Sequence, residues 1–195
     1  FRSGRDCDVR VIINENDEDV KNSLRDLLTG KNTIISSYFN DTITAKNGKY
    51  ELYLYGSNKK VETGNFENTF HIESNGKNTI NSGNQKDTFD IKNGNNIITD
   101  KGGNNEFTIR KAAIGARYTK NNIKTGNGND TFNIKDGDNT IKTTGGNDIF
   151  DVQGWGNYKI TSGAGIDTYN ISSYANMNIK SGAGNDVFKI DGFGR

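Results

Sequence analysis

Apolar residues recur along this chain at a near-constant interval. One column runs Ile34, Ile43, Leu52, Val61, Phe70, Ile80, Phe89, Ile98 and Phe107. It continues through Ile123, Phe132, Ile141, Phe150, Ile160, Tyr169, Ile179 and Phe188. Nearly every step is nine or ten residues; between Phe107 and Ile123 about seven more are inserted. The column alternates in character. Phe70, Phe89, Phe132, Phe150, Tyr169 and Phe188 are followed two residues later by Ile72, Ile91, Ile134, Val152, Ile171 and Ile190. Ile80, Ile141, Ile160 and Ile179 are followed instead by Ser82, Thr143, Ser162 and Ser181. Residues two apart share one face of a strand, so each repeat reads as a short strand with one face inward.

Two consecutive repeats make one turn of eighteen or nineteen residues. The aromatic on one strand fills the space that the small residue leaves on the other. The pattern predicts an all-β fold, a right-handed parallel β-roll or β-solenoid with two short strands per turn. Seventeen column positions make about eight and a half turns. At a strand spacing of about 4.8 Å the roll is about 40 Å long. Gly recurs four residues before many column positions, as at Gly48, Gly94, Gly128 and Gly146, where tight turns call for positive φ. Ordinary hairpins would need neither a fixed spacing nor two alternating strand types.

Residues 1–28 lie outside this pattern and read as an N-terminal cap or junction, with the roll over 29–195. Val9–Ile13 reads as a strand. Residues 17–28 read as a short capping helix, with Val20, Leu24, Leu27 and Leu28 on one face. A cap would shield the open backbone edge of the first coil. No similar segment follows Ile190, and the chain reads as a piece of a larger protein.

Composition agrees with a solenoid. Only 31% of residues are hydrophobic, Pro is absent, and Asn outnumbers Gly, which has 24 copies. That is little apolar material for an ordinary globular core, yet it is too regularly spaced for disorder. A net charge of +1 offers no overall electrostatic footprint for nucleic acid or an anionic membrane. Cys7 is the only cysteine, so no internal disulfide forms. No apolar run is long enough to span a bilayer, and no N-terminal signal peptide is evident.

Two residues before the aromatic column stands a polar one: Asn68, Asp87, Asn105, Asp130, Asp148, Asp167 and Asp186. In a parallel roll these stack, and four successive carboxylates would repel unless neutralised. Calcium suits this, since it takes six to eight oxygen ligands, including carboxylates and turn carbonyls. The alternative is that these Asp residues only cap turns. The other strand set carries Asn78, Asn96, Asn121 and Asn139 at the matching place, where side-chain amides can form a metal-free ladder.

The segments 125–134, 143–152, 162–171 and 181–190 resemble the RTX nonapeptide, Gly-Gly-x-Gly-x-Asp-x-apolar-x, of Gram-negative secreted toxins, proteases and lipases. The match is good at Gly126, Gly128 and Asp130, at Gly163, Gly165 and Asp167, and at Gly182, Gly184 and Asp186. Asp148 matches together with Gly146, while Thr144 replaces a glycine. The first glycine of the motif is Thr or Ser in the strong copies, and Asn replaces Asp in the alternate repeats. The repeat phase covers roughly 29–190; the motif is strong only in 125–190.

The resemblance implies a calcium-binding, non-catalytic repeat region of a large bacterial toxin, of the multifunctional or Mcf-like kind. It would serve folding, type I secretion and structural support. It also implies a secreted or extracellular location, with the parent's other domains and the secretion machinery as partners and contact with a host surface as a further one. Other readings are an adhesin segment, a carbohydrate-binding β-roll module, or an ice-binding solenoid, which would want a flat face of Thr pairs. Catalysis is not expected. His71 is the only histidine and faces outward, leaving little material for a Ser-His-Asp or Cys-His site. Stacked carboxylates could mimic a glycosidase pair, but repetition already explains them. The insertion at 110–120 reads as a solvated basic loop, with contact to a partner domain as the alternative, and Trp155 with Tyr158 as an outward aromatic spot in which local packing is favoured over sugar binding.

Overall fold

A computed structural model describes residues 2–3, 7–12, 33–110 and 119–191. Residues 33–110 and 119–191 wind into a parallel β-solenoid of two sheets. One sheet holds β4 (Asp41–Ala45), β6 (Lys59–Thr63), β8 (Lys77–Asn81), β10 (Asn95–Thr99), β12 (Lys120–Lys124), β14 (Asp138–Lys142), β16 (Asn157–Thr161) and β18 (Asn176–Lys180). The other runs from β3 (Thr33–Ile35) and β5 (Glu51–Leu54) through β7 (Thr69–Ile72), β9 (Thr88–Ile91), β11 (Glu106–Ile109), β13 (Thr131–Ile134), β15 (Ile149–Val152) and β17 (Thr168–Ile171) to β19 (Val187–Ile190). Neighbours in each sheet are one coil apart and strictly in register: Phe89 faces Phe107, which faces Phe132.

The N-terminal strand prediction is met with a shift: β2 spans Cys7–Ile12 and pairs antiparallel with β4, while β1 (Arg2–Ser3) pairs antiparallel with β2. Residues 17–28, where a helix was predicted, lie outside the described residues, as does the insertion over 111–118.

Alternation decides which side chains are buried. In β7, β9, β11, β13 and β17 the pattern is half-buried, buried, half-buried, buried, as period-two sequences require. The rings of Phe70, Phe89, Phe107, Phe132, Phe150, Tyr169 and Phe188 form one continuous stack, with centroids 4.5–5.1 Å apart and planes within 9° of parallel. Coil spacing imposes this: identical residues in register repeat at the strand separation. The column is buried from Ile34 to Tyr169, but Phe188 in the last described coil is 47% exposed.

The glycine-rich loops form a third, narrower ladder. Gly102, Asn127, Gly145, Ala164 and Ala183 pair successively as parallel bridges. The coils approach so closely that a Cβ at Gly128 (φ +144°) would lie 2.1 Å from the Gly103 carbonyl oxygen. At Gly146 (φ +118°) it would lie 2.1 Å from that of Gly128. Both the positive φ and the missing side chain are therefore used.

Candidate functional site

The polar column sits where each loop enters an aromatic strand, with its side chains inside the roll. Each member receives a hydrogen bond from the coil before it. Asp87 Oδ1 accepts the Asn68 amide (2.7 Å), Asn105 Oδ1 that of Asp87 (2.8 Å) and Asp130 Oδ1 that of Asn105 (2.9 Å). Asp148, Asp167 and Asp186 continue the series from Asp130, Asp148 and Asp167 at 2.8, 2.9 and 3.0 Å. Only one oxygen of each carboxylate is used in this way. The Oδ2 atoms of Asp87, Asp130, Asp148 and Asp167 are buried and make no well-formed hydrogen bond among the described residues; the Thr125 and Thr143 hydroxyls interact with Asp130 and Asp148 but fall short of hydrogen-bond geometry. Asp186 is half-buried, since its coil is the last one described.

Burial is the main reason that Asp87, Asp130 and Asp148 resist ionisation. It pushes Asp130 up to about 7, against the Thr125 hydroxyl and the Asn105 amide, with the Asp148 and Asp100 carboxyls adding to the rise. Asp148 is pushed up to about 6, against the Thr143 hydroxyl and the Asp130 amide. Asp87 is also raised by burial.

Asp100 is a site residue that the column pattern missed. It stands two residues past Ile98, where other coils carry Ser82, Thr143 or Ser162. Its Oδ1 accepts the Gly102 amide (2.9 Å) and the Asn105 side-chain amide (2.7 Å), and its Oδ2 accepts the Ser82 hydroxyl (2.5 Å). Burial first, and then the neighbouring Asp87 carboxyl, push it up to about 7. In this coil the acid and the neutral partner have exchanged ends: Asp100 with Asn105 replaces the Thr125 and Asp130 of the next. Comparing the two ends of each loop, and not the aromatic side alone, would have revealed the exchange.

The opposite edge is uncharged over most of its length. Asn78 Nδ2 donates to Asn96 Oδ1 (2.8 Å), Asn96 Nδ2 to Asn121 Oδ1 (2.8 Å) and Asn121 Nδ2 to Asn139 Oδ1 (2.7 Å). Asn139 ends the chain on the Asp136 and Gly137 carbonyls, both at 3.1 Å. Earlier coils fill the same column with a buried ion pair, Lys59 Nζ to Asp41 Oδ2 at 3.0 Å. Burial lowers the Lys59 pKa, and Asp41 opposes that shift. Sequence reading missed this pair because neither residue belongs to the aromatic phase.

Among the other candidates, His71 lies on the outer face, stacked on Tyr53 (4.4 Å) and 3.1 Å from Glu51 Oε1. The outward aromatic spot needs correction. Tyr158 is buried, its hydroxyl donating to the Trp155 carbonyl (2.9 Å), and the exposed partner of Trp155 is Tyr174, at 5.3 Å. The column position of Tyr158 points inward, and its hydroxyl reaches back to the turn.

The carboxyl column fits a cation in charge, since several buried oxygens make no well-formed hydrogen bond. The described residues contain no compact group of three or more acidic, His or Cys side chains that could hold a metal, so further ligands would have to be backbone carbonyls. Loop carbonyls such as those of Asn127 and Gly145 already accept coil-to-coil amides, and each retains a second lone pair. Comparison of the chain with family models, curated proteins and solved structures finds no match.

Proposed function

We propose that this chain is a non-catalytic structural repeat region, similar to the RTX-type rolls of secreted bacterial toxins, in which calcium neutralises the buried carboxyl column. The observation that carries the reading is the run of Asp130, Asp148 and Asp167, each buried and each with one oxygen that makes no well-formed hydrogen bond. A folded chain cannot hold such a run ionised without a compensating charge. Asp130, Asp148, Asp167 and Asp186 would supply carboxylate oxygens. The loops containing Gly126, Gly128, Gly146, Gly163, Gly165, Gly182 and Gly184 would supply carbonyls. Calcium would then act as a folding ligand, as extracellular concentrations of the ion allow. Export and attachment to a toxin's other domains rest on the nonapeptide resemblance. The non-catalytic reading is supported by the single histidine, which is engaged with Glu51 on the outer face.

The test is thermal unfolding of the purified chain in calcium, magnesium and chelator at pH 8. Calcium is expected to raise the melting temperature in proportion to the logarithm of its concentration. Asp148→Asn and Asp167→Asn should remove much of that gain. Superimposable curves in calcium and chelator would refute the metal role and leave a metal-free roll.

A further inference from the structure

The net charge of +1 averages over a roll whose charges are not evenly placed. On the outer face of β12, β14, β16 and β18 stand Lys120, Lys124, Lys142, Lys159 and Lys180, all exposed. None of the five makes an ion pair among the described residues, whose salt bridges lie elsewhere. The only carboxylate on this face of those four strands is Asp138, half-buried and accepting the backbone and side-chain amides of Asn157 at 2.9 and 2.8 Å. Period-two alternation within strands and register between coils gather these lysines, so the chain-wide sum that argued against nucleic acid does not describe this face.

A pair of rings stands where two of these strands begin. Trp155 and Tyr174, 61% and 58% exposed, lie in successive turns, two residues before Asn157 and Asn176, which open β16 and β18. Their centroids are 5.3 Å apart and their planes 19° from parallel, so they form a short exposed stack. A shallow depression of about 320 Å³ on the sheet face is lined among others by Asn157, Lys159, Asn176 and Asn178. Lys124 pairs in register with Lys142, and Thr161 separates Lys142 from Lys180 in the same column.

We infer that this face binds single-stranded nucleic acid, with the lysines along the phosphates and an unpaired base stacked on the Trp155–Tyr174 pair. Such strands are held by a cationic track together with aromatic rings that take bases face to face. Both parts are present within four coils: five lysines without an acidic partner, and a two-ring stack that a planar base would extend. Lysine's flexible stem lets ammonium groups on a fixed coil spacing follow phosphates of a different spacing. Between the lysines, the amides and hydroxyls of Asn122, Thr140, Thr161 and Asn178 suit the donor and acceptor edges of bases. A duplex keeps its bases stacked on one another and offers the rings no free base face. Binding to an anionic bilayer is strengthened by apolar side chains that insert beside the lysines, and the outward positions of these four strands hold none. The face lies on the opposite side of the strands from the interior that holds the carboxyl column, so the inference stands apart from the calcium reading.

Trp155 is the only tryptophan, so quenching of its fluorescence reports a base stacked there. The purified chain is titrated with oligothymidylate, an abasic strand of the same length, the matching duplex, polygalacturonate and anionic phospholipid vesicles. Variant affinities are read from the anisotropy of a labelled strand. Oligothymidylate is expected to bind most tightly and to quench Trp155. The abasic strand carries the same phosphates and should bind about tenfold more weakly, the loss expected for one stacked base. Trp155→Ala should weaken oligothymidylate binding about tenfold and leave that of the abasic strand unchanged. The triple change Lys124→Gln, Lys142→Gln and Lys180→Gln, all at exposed positions, should flatten the slope of log affinity against log salt by about 2, from about 0.7 for each phosphate contact on a single strand. Lys49→Gln, paired with Glu67 elsewhere on the roll, should leave affinity and slope unchanged. No binding of oligothymidylate at low salt, equal or tighter binding of the abasic strand, duplex, polygalacturonate or vesicles, an unaltered salt slope in the triple variant, or unaltered binding by Trp155→Ala would each overturn the inference.

Discussion

Truncating one ring in the aromatic stack should cost very different amounts at its middle and at its end. Phe132 is fully buried, with Phe107 and Phe150 stacked on its two faces at 4.7 and 5.0 Å. Phe188 is 47% exposed and has one ring neighbour, Tyr169 at 4.5 Å. Phe132→Ala leaves a cavity that neighbouring coils cannot close, because their spacing is set by the sheet hydrogen bonds. The loss is expected at about 4 kcal/mol, within the usual range for a buried Phe. Phe188→Ala gives up about half the burial and one stacked pair, which points to about 1.5 kcal/mol. The consequences also differ in kind. Each coil touches only its neighbours, so a weak interface in the middle divides the roll into two less coupled blocks. Guanidinium unfolding followed by circular dichroism should show a broadened or two-step transition for Phe132→Ala, and a shifted but single one for Phe188→Ala. Equal losses for the two variants, or a larger loss at Phe188, would refute the idea that the stack stabilises through continuous nearest-neighbour packing.

Other consequences are equally direct. Gly146→Ala should destabilise by about 2 kcal/mol or more, since it combines a positive φ with a clash on the Gly128 carbonyl; Gly145→Ala should be nearly neutral, because Ala164 and Ala183 already occupy that register and nothing lies closer than 3.3 Å. Denaturant midpoints of the two variants compare them. Asn96→Ala removes the middle of the amide chain and leaves Asn78 and Asn121 each short of a partner, for about 1–3 kcal/mol that should be the same with or without calcium. In chelator, the melting temperature should fall as pH rises from about 4 to about 8. The folded-state values of Asp130, Asp148 and Asp100 are raised, so the folded chain binds more protons than the unfolded one. Their stabilising contribution is complete below the ordinary carboxylate range and is lost as pH rises through about 6 to 7. Asp100→Asn should flatten part of that slope, and a melting temperature independent of pH would contradict the burial of these groups in an ionisable form.

The coil was legible because a solenoid repeats its constraints. A nine- or ten-residue step, alternation along each strand and a glycine in most loops name the same buried column from Ile34 to Tyr169 that the structure contains. The polar column and the amide ladder were legible for the same reason, since register places equal positions directly above one another. Departures from the repeat were harder to read. The exchange of acid and amide between Asp100 and Asn105 breaks the column where it was being traced. The Lys59–Asp41 pair belongs to coils whose motif is weak. Tyr158 was read with Trp155 as a surface aromatic, although its register with Asn139 points it inward.

By itself, then, the sequence determined the architecture: periodicity selects a parallel two-strand coil, and the alternating sizes select which strands face each other. Tertiary structure decided what each polar group experiences. Whether Asp148 is an exposed turn cap or a buried group pushed up to about 6 depends on the neighbouring coils that exclude water from it. Whether a net charge of +1 is spread evenly or gathers Lys120, Lys124, Lys142, Lys159 and Lys180 on the outer side of one sheet depends on which residues the winding brings together. Desolvation and charge segregation are properties of groups brought together across coils, and one-dimensional spacing records only which residues stack, not how much water or opposite charge remains between them.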